Sequence, residues 1–251
     1  MKVAQATKAK RAMILAAGLG TRLLPLTETR PKALVTVSGR TLLEITLERL
    51  RQSGVDEVII NVHHFAGMIA DYLQANKNFG MRIELSNEEQ LLDTGGGLKN
   101  AAWFFLDDPN RLDEPFILHN VDILSTIDLE RTVQFHLDNE ALATLIVRDH
   151  DTSRHLLFDE NDQLCGWRLA TGEEEKIVRP ATHPQAFGFT GIHVISPRML
   201  SLVNETDAFS IIDTYLDLAS RDCRIVACRA DESSWQDVGS PETLRRASSS
   251  S

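Results

Sequence analysis

The chain has 251 residues, 43% hydrophobic and 25% charged, a length and composition typical of a compact α/β domain. Its formal net charge is -10, which argues against nucleic acid or an anionic membrane as a partner and requires any anion site to be a local cluster of cations. No apolar run approaches the length of a membrane span, residues 1–11 lack the apolar region of a secretory signal, and the three cysteines have no zinc-like or C-x-x-C spacing. We therefore expect a cytoplasmic protein with reduced thiols.

A glycine-rich turn follows the first predicted strand, an apolar run at 12–17. The turn and the segment after it combine a flexible backbone, a hydroxyl donor and two cations, at Gly18, Gly20, Thr21, Arg22 and Lys32. Glycines without a Cβ can turn with positive φ and let N–H groups close on a ligand, and a guanidinium and an ammonium suit phosphate oxygens. The spacing fits neither a P-loop nor a dinucleotide motif. We predict one phosphate-binding platform.

Strands and helices alternate through the first half of the sequence. The pattern predicts a helix at 43–54, a strand at 58–62, a helix at 68–73, and strands at 81–85 and 116–119. Because glycine is unfavourable inside a helix, 95–97 is predicted as the entry loop of a helix that continues through 101–106. Alternation predicts parallel strands with ligands beyond their carboxyl ends, where the platform, the three glycines and Asp122 would meet.

The second half is less regular, and mixed or antiparallel strands are expected there. Strands are predicted at 143–147, 155–158, 164–167, 187–195 and 225–228, with helices starting at 197 and spanning 209–219. The acidic segment 172–176 is predicted to be a solvated loop.

Residues 18–32 match G-x-G-T-R-x-x-P-x-T-x-x-x-P-K at every fixed position, and in this the chain resembles the sugar-1-phosphate nucleotidylyltransferases. The resemblance implies a Rossmann-like α/β/α fold of three layers with a mostly parallel, mixed sheet, without the carboxyl-terminal β-helix of some members. It implies a single domain over 1–251, with a nucleotide-binding half at 11–122, a sugar-phosphate-binding half at 123–247 and a polar tail at 248–251. The TGGG, N-x-D and W-x-D-V-G patterns look most like uridylyltransferases for N-acetylmuramate or N-acetylglucosamine 1-phosphate, and mannose-1-phosphate guanylyltransferases are the nearest rival.

The implied reaction joins a nucleoside triphosphate to a sugar 1-phosphate and releases pyrophosphate, in a monomer or small homo-oligomer. By resemblance, Arg22, Lys32 and Asp122 are the catalytic residues, and Asp122 and Asp237 hold Mg²⁺. An aspartate after a strand is more often a cap or turn residue, and the motif context is what favours the metal role. Val121 stands where the family has glycine, and its β-branched side chain is expected to affect substrate choice more than the chemistry.

The resemblance also implies two groups of binding residues. The nucleotide would contact the platform and a second loop, at Ala17, Gly18, Gly20, Thr21, Arg22, Lys32, Gln90, Thr94, Gly95 and Gly96. The sugar phosphate would contact Asn120, Gly188, Thr190 and Gly191. Two other classes stay open: a non-catalytic sensor of nucleotide sugars, and a phosphocholine-type cytidylyltransferase, which would need an aromatic or acidic cage for its quaternary ammonium.

Overall fold

A ten-stranded mixed sheet forms the centre of the computed structural model, which describes residues 9–249. Its strands follow the path β11-β10-β9-β12-β6-β1-β4-β5, with β8 paired to β12 and β13 paired to β8. These strands are β1 (Arg11–Leu15), β4 (Glu57–Val62), β5 (Arg82–Asn87), β6 (Phe116–Asn120), β8 (Ala143–Arg148), β9 (Arg154–Phe158), β10 (Leu164–Leu169), β11 (Glu175–Ile177), β12 (Gln185–Ile195) and β13 (Ile225–Arg229).

Two small antiparallel pairs lie outside this sheet. They join β2 (Thr36–Val37) to β3 (Arg40–Thr41), and β7 (Ile123–Ser125) to β14 (Trp235–Asp237). The second pair brings a segment near the end of the chain beside Asp122, so that Val238 donates a backbone hydrogen bond to Asp122 O at 2.9 Å.

Helices cover both faces of the sheet, because its central strands β1, β4, β6 and β8 bury apolar side chains on both sides. One face packs against α1 (Leu42–Gln52), α2 (Ala66–Ala75), α5 (Leu129–Asp138) and α7 (Pro241–Ser249). The other packs against α3 (Asp93–Asn100), α4 (Trp103–Leu106) and α6 (Ile211–Ser220). The three-layer α/β/α fold with a mixed central sheet is therefore confirmed.

Parallel strands place the candidate site at one edge of the sheet. β1 pairs in parallel with β4 and β6, and its last residue, Leu15, lies between Asn61 and Asn120 in the register. The chain leaves all three strands at this edge. β12 runs antiparallel to β6 and begins the mixed half of the sheet.

Several predicted boundaries differ from the structure. The three glycines 95–97 lie inside α3 and not in an entry loop, and a turn at 101–102 separates α3 from α4. The segment after Ser196 is a 3-10 helix, Pro197–Leu202, and α6 begins at Ile211 rather than at 209. Part of the acidic loop pairs as β11.

Other elements had no predicted counterpart, namely α5, α7, the β2–β3 pair and the β7–β14 pair. Residues 248 and 249 of the predicted polar tail belong to α7, while 250 and 251, like residues 1–8 at the amino terminus, fall outside the described residues. Among the helices of residues 9–249, none combines the length and the apolar character needed to cross a membrane.

Candidate active site

The two glycines of the glycine-rich turn differ in backbone conformation and in the space around them. Gly20 has φ +66°, and an added Cβ would lie 2.9 Å from Thr27 Cγ2. Thr27 Oγ1 also donates to Gly20 O at 2.9 Å, so the turn is held from within. Gly18 was expected to share the positive φ, but it is not among the positive-φ glycines, and no atom lies within 4 Å of its Cβ position. Gly18 therefore leaves space beside the backbone instead of providing a turn.

Two cations of the platform pair with the two predicted metal-binding carboxylates. Lys32 Nζ donates to Asp122 Oδ2, and both side chains are nearly buried, 14% and 12% exposed. Arg22 Nη2 lies 3.7 Å from Asp237 Oδ2 in a more open setting, with side chains 65% and 39% exposed. The structure thus brings together four residues that are up to 215 positions apart in the chain.

Gly239 marks the point at which these groups converge. A Cβ added there would lie 2.7 Å from Arg22 Nη2, 2.7 Å from Asp237 Oδ1 and 3.0 Å from Asp122 Oδ2. Gly239 N also donates to Asp237 Oδ1 at 2.6 Å, which fixes that carboxylate. A side chain at this position would occupy the space between the two acids.

The donor set here is compatible with Mg²⁺. This ion prefers carboxylate oxygens and is usually bound by one or two protein carboxylates together with substrate phosphates. Asp122 and Asp237 supply that number of carboxylates around one point. Within residues 9–249 no group of three or more His, Cys, Asp or Glu side chains is arranged to hold a metal, so a cage made entirely by protein is not formed there.

A cavity of about 430 Å³ adjoins the Lys32–Asp122 pair. Six of the predicted site residues line it: Ala17, Gly18, Lys32, Thr94, Asn120 and Asp122. Val121, the residue that departs from the family pattern, also lines the cavity and is 2% exposed. The cavity walls therefore come from the turn after β1, the start of α3 and the end of β6.

The remaining predicted residues lie outside this lining: Gly20, Thr21, Arg22, Gln90, Gly95, Gly96, Gly188, Thr190, Gly191 and Asp237. Thr21 and Arg22 form the exposed 3-10 turn beside the cavity, and Gln90 is an exposed bend residue. Gln90 lies between the cavity residues Glu88 and Leu91, and its contact with the base stays a prediction.

Gly95 and Gly96 face α6 and the segment before it, not the cavity. A Cβ on Gly95 would lie 2.3 Å from the Phe209 ring, and one on Gly96 would lie 3.1 Å from Asp207 O. Gly95 N donates to Phe209 O at 2.9 Å. The expectation that these glycines face the nucleotide is corrected: close packing of their backbone against the segment 207–211, rather than flexibility or ligand contact, accounts for them.

The predicted sugar-phosphate residues separate into two groups. Gly191 has φ +80°, and its Cβ position is 2.8 Å from Asn120 Nδ2, so this pair lies together beside the cavity. Thr190 is fully buried, and its hydroxyl donates to Ile146 O at 2.7 Å, so its side chain does not face a ligand, contrary to expectation. Gly188 makes room for the His150 ring, 2.2 Å from its Cβ position.

Two cavity residues, Asn61 and Glu88, were missed by the sequence reasoning. They are 3% and 5% exposed, and Asn61 Nδ2 donates to Glu88 Oε1 at 2.7 Å. Asn61 is the penultimate residue of β4 and Glu88 directly follows β5, so polar residues near the carboxyl ends of these strands were the available signal.

Buried histidines support the sheet behind the site. Burial lowers the pKa of His119 to about 4 and that of His193 to about 3, because the imidazolium loses its hydration. His119 Nδ1 lies 2.8 Å from Asn120 O and carries the proton, while His193 Nδ1 lies 2.7 Å from the Tyr215 hydroxyl. Both rings are neutral at physiological pH and serve as structural groups.

Comparison with known proteins agrees with the family resemblance of the sequence motif. A family model described as "Nucleotidyl transferase" matches residues 11–251. The chain belongs to the nucleotidyl transferase family. The resemblance seen in the sequence motif is thereby confirmed, and this nucleotidyl transferase is an enzyme of that class.

Relatives of this nucleotidyl transferase are named for sugar 1-phosphates. The N-acetylmuramate alpha-1-phosphate uridylyltransferase of Caulobacter vibrioides is 35% identical over 244 residues, which are 93% of each chain. The mannose-1-phosphate guanylyltransferase of Mycobacterium tuberculosis is 29% identical over 97% of this chain but 65% of its own length. A crystal structure of a UDP-glucose pyrophosphorylase complexed with UDP-glucose has a TM-score of 0.75 at 17% identity, covering 96% of this chain and 97% of its own, and shows the same fold.

Proposed function

We propose that this nucleotidyl transferase moves a uridylyl group from UTP to an N-acetylmuramate- or N-acetylglucosamine-type sugar 1-phosphate. A phosphate oxygen of the sugar 1-phosphate forms a bond to the α-phosphorus of the triphosphate. The bond from that phosphorus to the pyrophosphate oxygen breaks, and pyrophosphate leaves with the bonding electrons. The products are a nucleotide sugar and pyrophosphate, and no covalent intermediate with the protein is needed.

The observation that carries this proposal is the junction between the cavity and the paired charges. The cavity has a volume of about 430 Å³, which is suited to a nucleoside, and Lys32 and Asp122 lie in its lining. Arg22 and Asp237 stand directly beside them around Gly239. A triphosphate whose base entered the cavity would bring its phosphates to two cations and two carboxylates.

Lys32 and Arg22 would bind and orient the triphosphate. Each cation is already paired with a carboxylate. Phosphate oxygens of the bound triphosphate would replace that carboxylate or share the cation with it. Fixed positive charge near the phosphates stabilises the charge that grows in the transition state, and it costs little reorganisation. Catalysis would thus depend on positioning and charge neutralisation.

Asp122 and Asp237 would hold Mg²⁺. When bound there, the ion would supply positive charge to the phosphate oxygens. The hydrogen bond from Gly239 N fixes Asp237, and the backbone bond from Val238 N fixes the carbonyl of Asp122. The first bond holds the Asp237 carboxylate, the second holds the main chains of the two segments together, and Lys32 holds the Asp122 carboxylate.

The choice of uridylyl transfer is supported by the 35% identity to the Caulobacter enzyme over 93% of both chains. Guanylyl transfer to mannose 1-phosphate is the second candidate, because the mycobacterial enzyme also matches across 97% of this chain. Asn120 and Gly191, adjacent at the end of the cavity, are proposed to contact the sugar phosphate.

Pyrophosphate release tests this proposal. The purified protein is assayed with Mg²⁺ on a grid of UTP, GTP, CTP and TTP against the 1-phosphates of N-acetylmuramate, N-acetylglucosamine, mannose and glucose, with phosphocholine included. We expect turnover with UTP and an N-acetylated sugar 1-phosphate, loss on chelation with EDTA and recovery with Mg²⁺. Preference for GTP with mannose 1-phosphate would select the second candidate, and turnover with phosphocholine alone would refute both.

A further inference from the structure

A buried polar pair, Asn61 and Glu88, stands in the cavity wall without a part in the proposed reaction. The Asn61 amide donates to Glu88 Oε1 at 2.7 Å, and the two side chains are 3% and 5% exposed. A buried carboxylate is unfavourable unless donors satisfy it. Such a pair needs a structural or functional reason to be in a cavity wall.

Each member of the pair fixes one wall of the cavity. Asn61 Oδ1 accepts from the backbone N–H of Ala16 at 2.7 Å, at the start of the glycine-rich turn. Glu88 Oε2 accepts from the backbone N–H of Leu92 at 3.1 Å, immediately before α3. The Asn61–Glu88 bond therefore connects the turn after β1 to the start of α3 through two side chains.

The main chain around Glu88 is fixed as well. Glu88 N donates to Val62 O at 2.8 Å, and His63 Nδ1 lies 2.8 Å from Glu88 O. The carboxylate also lies at the amino terminus of α3, where the helix dipole favours a negative charge. Glu88 is thus held in one position from several sides.

Gly97 makes space for this pair. A Cβ added to Gly97 would lie 2.7 Å from Asn61 Nδ2 and 2.7 Å from Glu88 Oε1. Neither atom is free to move away, because each is in a buried hydrogen bond. The third glycine of the TGGG sequence is therefore explained by the pair that it accommodates.

We propose that Asn61 and Glu88 are positioning residues that set the separation of the two walls of the nucleotide cavity. They act through the backbone of Ala16 and Leu92, and their effect falls on binding and orientation of the triphosphate rather than on the sugar 1-phosphate. This inference rests on the proposed function, since it takes the cavity to be the nucleotide site.

Asn61→Asp isolates the Asn61–Glu88 bond. The new side chain keeps its shape and can still accept from Ala16 N, but it has no donor for Glu88 when ionised. Two carboxylates in one buried site share a proton, and one of their pKa values rises strongly. We expect kcat/KM for the triphosphate to fall about tenfold to hundredfold at pH 8 and to recover as the pH is lowered toward about 6. KM for the sugar 1-phosphate should not change.

A double variant, Asn61→Asp with Glu88→Gln, restores the bond with donor and acceptor exchanged. The amide introduced at position 88 would donate to the carboxylate introduced at position 61, and its carbonyl oxygen would accept from Leu92 N. We expect this variant to regain most of the triphosphate kcat/KM at pH 8. Asn100→Asp is the matched control, because Asn100 donates to Ser86 Oγ at 2.9 Å from α3, outside the cavity lining. It should leave the kinetics unchanged.

Thermal denaturation is measured with each variant. Wild-type kcat/KM at pH 8 in Asn61→Asp, or a double variant that regains thermal stability without regaining triphosphate kcat/KM, would overturn the inference. Calorimetric affinity for UTP in the same variants tests it without turnover. If the wild type binds UTP but releases no pyrophosphate with any substrate pair, the proposed reaction is refuted. The UTP affinities of the variants then still test whether Asn61 and Glu88 position the triphosphate.

Discussion

Substitution of Gly239 by alanine places a methyl group between the groups assigned to the phosphates and the metal. Its Cβ would lie 2.7 Å from Arg22 Nη2 and Asp237 Oδ1, and 3.0 Å from Asp122 Oδ2. Gly239 is not among the positive-φ glycines, so the alanine backbone is not strained. The whole effect should come from the side-chain ends that must move apart.

The expected effect on activity is larger than that on stability. Overpacking of a tightly packed interior costs about 1 to 3 kcal/mol, and here the neighbours are side-chain ends in a partly exposed site, so we expect about 1 kcal/mol. Displacement of catalytic groups by about 1 Å costs about a hundredfold in rate. Gly239→Ala should therefore lose about 100-fold in kcat/KM while it remains folded.

Pyrophosphate release and urea denaturation measure the two effects in the same preparation. Gly67→Ala in α2 is the matched control, because its added methyl meets no atom within 4 Å. It should keep the turnover of the wild type and lose no stability, because alanine is favoured over glycine in a helix. Wild-type turnover in Gly239→Ala would refute the claim that the two carboxylates act together at this point.

Three other outcomes are expected. Asp122→Asn should keep the fold, seen by circular dichroism, and lose about 100-fold to 1000-fold in kcat, and near-normal Mg²⁺-dependent turnover would contradict its role. Gly188→Ala should lower the denaturation midpoint, because its methyl would overlap the His150 ring at 2.2 Å, and an unchanged midpoint would show that the ring can move. Because the pKa values of His119 and His193 are lowered in the folded protein, the unfolded chain binds more protons than the folded chain below about pH 6.5. The free energy of unfolding should therefore be unaffected by these histidines above about pH 6.5 and should decrease as the pH is lowered toward about 4. Urea midpoints that do not change over this range would contradict that contribution.

The parallel half of the fold could be read from the sequence because its signals are local. The apolar run at 58–62 is typical of a buried strand, and the leucines of α1 recur at helical spacing. Gly54, with φ +90°, follows the end of α1 as expected. The residues of the platform were found for the same reason: they lie within one short segment with distinctive chemistry.

The parts that were missed depend on contacts between distant segments. β7 and β14 are three residues each and pair across more than a hundred positions, so neither has a periodic signal of its own. The glycines of α3 were interpreted through conformational freedom, whereas Gly95 and Gly96 give room to the segment 207–211 and Gly97 gives room to the Asn61–Glu88 pair. Asn61 and Glu88 likewise acquire a role only when β4 and β5 place them beside each other.

The most direct test of the account measures nucleotide sugar and pyrophosphate together in one reaction. Wild-type protein and Asp122→Asn are incubated with UTP, Mg²⁺ and N-acetylmuramate 1-phosphate, and both products are quantified by mass spectrometry. We predict equal molar amounts of the two products from the wild type and almost none from the variant. Equal yields from both proteins, or pyrophosphate without nucleotide sugar, would contradict nucleotidyl transfer at the site formed by Lys32, Asp122 and Asp237.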